Sequence, residues 1–582
     1  MSLFVVFIFA AVLLGAGAML SPAWRTVQPR VALSATLCLA LVVGGAVFYT
    51  EAFGWDTLVV DYLLFALLSG VVLGGTLSTA QAQAEARGER LADRDQGWPG
   101  PEDLAFFALV ALLLVIPLLH LAAPLGTQGQ VSALHSLTAR EGESFTSLAP
   151  LAPEAKVVIA PGFHALSAYL SQQLGHPVPL IQMSVAAVIV FLLTWLAYDF
   201  GAEIRDKRLG RALAIALLLC GGLHVSFLDG HFAELLALLF LLAFLLYALR
   251  CLRRARLADV AAGGLMLGAV IYTSLSLSII MLFSFVSLAG LAWYSGANIN
   301  SRLALTIGFP AVALLGLAPW LINNLPLMLP IIPSPFSADP VNVAHMTRSQ
   351  GYLILPLALW GITIGLRGRG SVRFVSGLML IWLLLVIEAA LLGVLGRLMP
   401  PLGALTHAPN IARYGVILPF AWFAGLALLR LWEAHISTSL RQRLRRAAWP
   451  LMALAAVIIV LIGVAFEPLL SAMRPLLDLP PQTLSHDDAA ALDWLRANAP
   501  DDALLAASDD SGWLPVIAER RALDFRAVRY FEWDLLDASG FAGAAPDYVF
   551  VPTGGVPPDG LSLELAFEQG GARVYQVPPD SR

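Results

Sequence analysis

Asp229-Gly230-His231, with Glu234 three residues on, puts two carboxylates and an imidazole between two apolar runs. Such a group can take up a proton or hold a cation. The alternative is a hydrated hairpin, although Glu234, about one helical turn into its run, is costly there unless it is paired or faces a cavity. Glu141 and Glu143 flank Gly142 in a polar stretch, where they suit a general base or metal ligand, or else a solvated turn. Glu388 stands inside the apolar run Leu383–Val394. It is either a functional acid or half of an ion pair with Arg413, Arg397 or His407. Arg348 and Arg413 are cations in stretches poor in them, and guanidinium geometry suits phosphate oxygens. A headgroup or loop contact is the other reading. No Walker loop, dinucleotide glycine fingerprint or His-Glu-x-x-His is present.

The elements that must position these residues are membrane spans. Of 582 residues, 58% are hydrophobic and 13% charged, too few charges to cover a soluble protein of this size. Apolar runs long enough to cross a bilayer recur from residue 2 to about residue 471, and about fourteen transmembrane helices are predicted. The first run, Ser2–Leu20, lacks a basic start and reads as a span rather than a secretory signal. With the N-terminus outside, the inner loops hold 22 Lys/Arg and the outer ones 6, so both termini are predicted outside. Eight of the ten histidines then fall at or near the outer face, and His486 in the outer tail. Interface enrichment and a polar outer cavity both account for that. Disorder and nucleic-acid binding are excluded, since no basic patch stands out against a net charge of −5. Cys38, Cys220 and Cys251 read as apolar fillers.

Three units follow: residues 1–103, with three spans and a cytoplasmic loop; 104–471, a transmembrane core with the outer loop 124–178; and 480–582, an extracytoplasmic domain. The loop is predicted to hold a turn over Gly126–Gln130 and helices over 131–140 and 163–174. Two further outer segments are 324–350, rich in proline, and 397–413. The tail holds 17 acids and 7 arginines and reads as a small α/β domain with a core of its own. It has a helix from Asp487 to Asn498 capped by Ser485, strands over 503–507 and 547–551, and a hairpin turning at Gly570-Gly571.

This arrangement resembles the C-type multi-spanning glycosyltransferases (GT-C), in which a span is followed at once by a large outer loop with helices. The resemblance covers roughly residues 104–582. Its residues are Ala160-Pro161-Gly162-Phe163-His164-Ala165-Leu166, Asp229–Leu236, Ala412-Arg413-Tyr414, and in the tail Asp487-Asp488-Ala489, Asp493-Trp494-Leu495 and Asp547-Tyr548-Val549. It implies an all-α polytopic plasma-membrane protein that takes a sugar from a polyprenyl-phosphate donor at the outer face. Membrane lipids and the lipid-linked sugar would be its partners, with Mg or Mn if it is catalytic. The family's loop acid is replaced here, in Gly126-Thr127-Gln128. The resemblance therefore leaves Glu141, Glu143, Asp229 and Glu234 as catalytic candidates. Arg348, Arg413, His231, Gln128 and Glu388 are the substrate-binding candidates. A non-catalytic assembly subunit of the same fold, favoured by Gln128, and a lipid or solute transporter are the rival readings.

Overall fold

Helices dominate the computed structural model, which describes residues 2–23, 30–85, 99–148, 152–156, 159–253, 255–294, 298–328, 341, 343–394, 408–434, 448–477, 479, 484–508, 512–522, 545–558 and 562–578. Among these residues, eight helices are long and apolar enough to cross a membrane, or up to 11 if each of three bent pairs is one span. Three shorter apolar helices, Phe4–Ala18, Thr57–Gly70 and Leu257–Ile271, fall on the remaining predicted runs. The chain is a polytopic, multi-pass membrane protein. Arg397, His407, residues 329–340 of the proline-rich stretch and most of 397–413 lie outside the described residues.

The bends are where the apolar pattern alone misleads. Lys207–Leu219 and Gly221–Asp229 meet at 53°, beside the Gly221-Gly222 pair, a common site of helix kinks. Val343–Gln350 and Ile354–Arg367 meet at 96°, and Ala448–Val464 and Phe466–Leu477 at 87°. The last helix carries Glu467, Arg474 and Pro475, which suit the bundle's edge better than its apolar middle.

Val178–Ile204 and Phe232–Arg253 form the centre, each 89% buried. Val31–Phe53, from the N-terminal unit, is 72% buried. It packs against both of them and against Phe309–Met328. At the end opposite the C-terminal domain, Arg30 lies 3.7 Å from both Asp199 and Glu203, and Arg250 lies 2.6 Å from Glu203. Asp103 accepts from Arg211 at 2.5 Å and from the Tyr198 hydroxyl at 3.0 Å. Buried charges need such partners, and these pairs join the N-terminal unit to the core.

The loop contains helix Thr127–Gly142, the antiparallel pair β1 (Ser147–Leu148) and β2 (Ala152–Lys156), and helix Gly162–Leu174. The predicted turn over Gly126–Gln130 is instead the N-cap and first turn of the first helix. In the tail, Ser485 caps helix His486–Asn498 in a capping box with Asp488. The sheet is built from β3 (Leu504–Ala507), β4 (Arg521–Ala522), β5 (Tyr548–Val551), β6 (Glu564–Gln569) and β7 (Ala572–Gln576), in the order β4-β3-β5-β7-β6. Strands β4, β3 and β5 run parallel; β7 is antiparallel to β5 and to β6. Gly570 and Gly571, at φ 56° and 98°, turn the predicted hairpin as a type I′ turn requires. The tail's core is not its own. Leu492, Leu495, Trp513, Leu514 and Phe550 form one buried cluster with Ala133, Leu134 and Leu137 of the loop helix.

Candidate functional site

Helix Gly221–Asp229 ends at Gly230, whose φ of 97° only glycine adopts readily. A Cβ there would also collide with the Gly129 backbone and stand 3.2 Å from the Gln128 carbonyl carbon. The Leu125 amide donates to the Leu228 carbonyl at 2.8 Å. The first turn of the loop helix is thereby fixed against the Asp229-Gly230-His231 turn. Gln128, the position without an acid, stands beside a hairpin that supplies two.

Asp229 and His231 are buried, at 5% and 2% exposure. Arg413, on helix Ala408–Tyr414, donates from Nη1 to the Asp229 carboxylate, and that nitrogen lies 3.3 Å from His231 Nε2. His231 Nε2 is 3.3 Å from Asp229 Oδ2, and its Nδ1 is 3.8 Å from Glu234 Oε2. Burial alone would lower the His231 pKa, but the carboxylates of Asp229 and Glu234 beside it raise it above the ordinary value. Tyr414 sets its ring 5.7 Å from that of His231. Gln350, at the 96° bend, donates to the carbonyls of Ala412 and Arg413 and so fixes the arginine's backbone. The Arg413 Nε is buried and has no hydrogen-bond partner among the described residues. One edge of the guanidinium is spent on Asp229, while this N–H is left for an acceptor.

His135 and His164, from the two loop helices, stand 5.2 Å apart ring to ring. Burial, with His164 beside it, pushes the His135 pKa well down; burial pushes His164 down to about 4 despite nearby Glu234. Both rings are neutral at pH 7, and His164 Nδ1 has no hydrogen-bond partner among the described residues. A folded-state value near 4 against 6.5 unfolded means stability that is present above pH 6.5 and lost as pH falls toward 4. The full loss is about 3 kcal/mol. His231, raised instead, contributes stability below its unfolded value that is lost as pH rises through its folded one, so it opposes this trend. Subtracting the unfolding midpoints of His164→Gln from those of the wild type between pH 7.5 and 5 isolates the His164 share. The wild type is expected to fall more steeply. Parallel curves would show that His164 does not resist protonation.

Glu141, Glu143 and Arg348 are not brought here. Glu141 is exposed and pairs with Arg140 at 2.7 Å; Glu143 is exposed at φ 51° just past the helix. Glu141 lies 13 positions after Gln128 along the 16-residue helix, roughly 20 Å at 1.5 Å per residue, and Glu143 lies beyond it, so neither replaces an acid at position 128. Arg348 is exposed and, two residues before Gln350, faces the other side of its helix. Glu388 is half-buried at the start of a π-helical turn that packs against the helix carrying Arg413. The sequence reading missed Gln350, Tyr414 and the pairing of His135 with His164. Only the gathering of histidines on one face hinted at the last.

A divalent cation does not fit these residues. Among the described residues, no three His, Cys, Asp or Glu side chains converge on a metal-sized site. Asp229, the buried acid, already accepts from a guanidinium that would repel a second cation.

No family model matches the sequence, and no curated protein matches it. Solved structures do. ArnT from Cupriavidus metallidurans bound to undecaprenyl phosphate aligns at 16% identity and a TM-score of 0.52, covering 81% of this chain and 97% of that one. The same protein in the apo state gives 16% and 0.53 over the same shares. The oligosaccharyltransferase AglB from Archaeoglobus fulgidus, in complex with an inhibitory peptide and a dolichol-phosphate, gives 14% and 0.45 over 77% of this chain and 69% of that one. The likeness to ArnT over four fifths of the chain shows that this protein has the GT-C fold of the multi-spanning glycosyltransferases.

Proposed function

We propose that this protein is a membrane glycosyltransferase that takes a sugar from a polyprenyl-phosphate donor at the face carrying the C-terminal domain. The observation that carries this reading is the Asp229–Arg413–His231–Glu234 cluster, in which the buried Arg413 Nε has no hydrogen-bond partner among the described residues. A guanidinium and a proton-holding imidazole suit a phosphate that gains charge as the sugar leaves. Asp229 orients both. Glu234, with 22% of its side chain exposed, is the carboxylate open to an acceptor hydroxyl. It takes that proton as the acceptor oxygen bonds to the sugar's anomeric carbon and the bond to phosphate breaks. Asp229 thus supplies negative charge beside Gln128. The 22-to-6 basic bias supports an outer location for this face in the plasma membrane.

The test uses purified protein, undecaprenyl phosphate, a panel of undecaprenyl-phosphate sugars and membrane extract as acceptor source. Wild type is expected to bind undecaprenyl phosphate and to release it from one member of the panel. Glu234→Gln should keep that binding and lose about 10²–10⁴ in rate. Equal rates in the variant would remove Glu234 from the chemistry. Gln128 favours a second reading, a non-catalytic relative; binding without release from any donor would select it.

A further inference from the structure

A polar cavity lies at the other end of the loop helix. It is about 350 Å³ and is lined by Thr50, Glu51, Glu143, Thr146, Asn323 and their neighbours. Three elements build it: the end of the N-terminal unit's buried helix, the turn after the loop helix, and helix Phe309–Met328. Glu51 is fixed in place, with Asn323 Nδ2 donating to its Oε2 at 2.8 Å and to its own carbonyl at 2.7 Å, and Asn324 Nδ2 reaching its Oε1 at 3.3 Å. Ser144 and Thr146 set their hydroxyls 3.2 Å apart, and Phe145 and Pro326 complete the wall. Ligand cavities of this size are ordinarily lined by apolar side chains with a few polar ones. Here the balance is reversed, and the wall offers hydroxyls, an amide and carboxylates.

From this lining we infer that the cavity binds a neutral, polyhydroxylated ligand the size of one sugar ring. Carboxylates and hydroxyls accept and donate to vicinal hydroxyls. Among the described residues no basic side chain lines the cavity, and its two carboxylates repel a phosphate. The site is roughly 20 Å from Gln128 along the loop helix, so it is separate from the Asp229–Arg413 cluster and does not rest on sugar transfer there.

The experiment is equilibrium binding to purified full-length protein, with glucose, mannose and galactose as probes, each also as its 6-phosphate. At least one free hexose is expected to bind saturably, and its phosphate at least tenfold more weakly. Glu143→Ala and Thr146→Val should each weaken that hexose about tenfold, the effect of a lost hydrogen bond to a charged or fixed group. Both side chains are at the surface turn, so their unfolding midpoints should stay at the wild-type value. Asp229→Asn should leave hexose binding unchanged, and Glu143→Ala should leave undecaprenyl phosphate binding unchanged, so failure here is distinct from failure of the transferase reading. Absence of saturable binding by every free hexose overturns the proposal. So does equal binding of the phosphates, or unchanged binding by both cavity variants.

Discussion

Arg413→Gln is expected to lower stability by about 3 kcal/mol and to weaken undecaprenyl phosphate binding about 10- to 100-fold. The side chains of Arg413 and Asp229 are only 12% and 8% exposed, so removing one strands the other charge where water cannot reach it. His231 beside Asp229 offsets part of that loss, which holds the figure at the lower end. The double variant Asp229→Asn/Arg413→Gln leaves no stranded charge and should recover most of the stability. It should not recover binding, because no guanidinium remains for the phosphate. Arg413→Lys keeps the charge, loses the fork, and should fall between wild type and Arg413→Gln in binding. Denaturant midpoints and lipid binding on the same preparations check both halves. If the double variant binds as the wild type does, Arg413 is a structural partner of Asp229 and nothing more.

Much of this site was legible because its residues are close in sequence or chemically conspicuous. Asp229, His231 and Glu234 fall within one hairpin, and Arg413 is one of few arginines predicted on that face. The apolar runs, the Ser485 cap and the Gly570-Gly571 turn are local signals, and the structure has each. What was not legible depends on how far a helix extends and on which residues it meets. Reading Gly126–Gln130 as a turn left Glu141 and Glu143 free to approach the site; starting the helix at Thr127 carries them to its far end. Gln350 reaches Arg413 across 63 residues, and nothing in its own segment hints at that bond. Asp199 and Glu203 lie at the end of an apolar span whose partners, Arg30 and Arg250, come from two other helices. Spacing within one segment does not encode such pairings.

In the tail, local signals give the elements but not the long-range packing that holds them. Trp513 is fully buried, in the same cluster as Leu134 at 0% and Leu137 at 1% exposure. Arg140 of the loop helix also pairs with Glu519 at 2.9 Å. A Cβ at Gly512 would meet Gln130 Oε1 at 2.5 Å, so the tail's backbone there lies directly against the Gln130 side chain of that helix. Trp513→Ala should therefore cost about 3–5 kcal/mol through the cavity it leaves. Its effect should reach past the tail. Amide exchange over residues 127–142 should speed up, because the apolar face of that helix loses its cover. The same helix begins with Gln128 against the Asp229 hairpin, so a loosened helix also relaxes the polar cluster and weakens lipid-phosphate binding. Residues 480–582 expressed alone should melt broadly, since Ala133, Leu134 and Leu137 are then missing from their core. A sharp, cooperative melt of the isolated tail, or unchanged exchange over 127–142 in Trp513→Ala, would show that the two units fold independently and that the tail does not support the site.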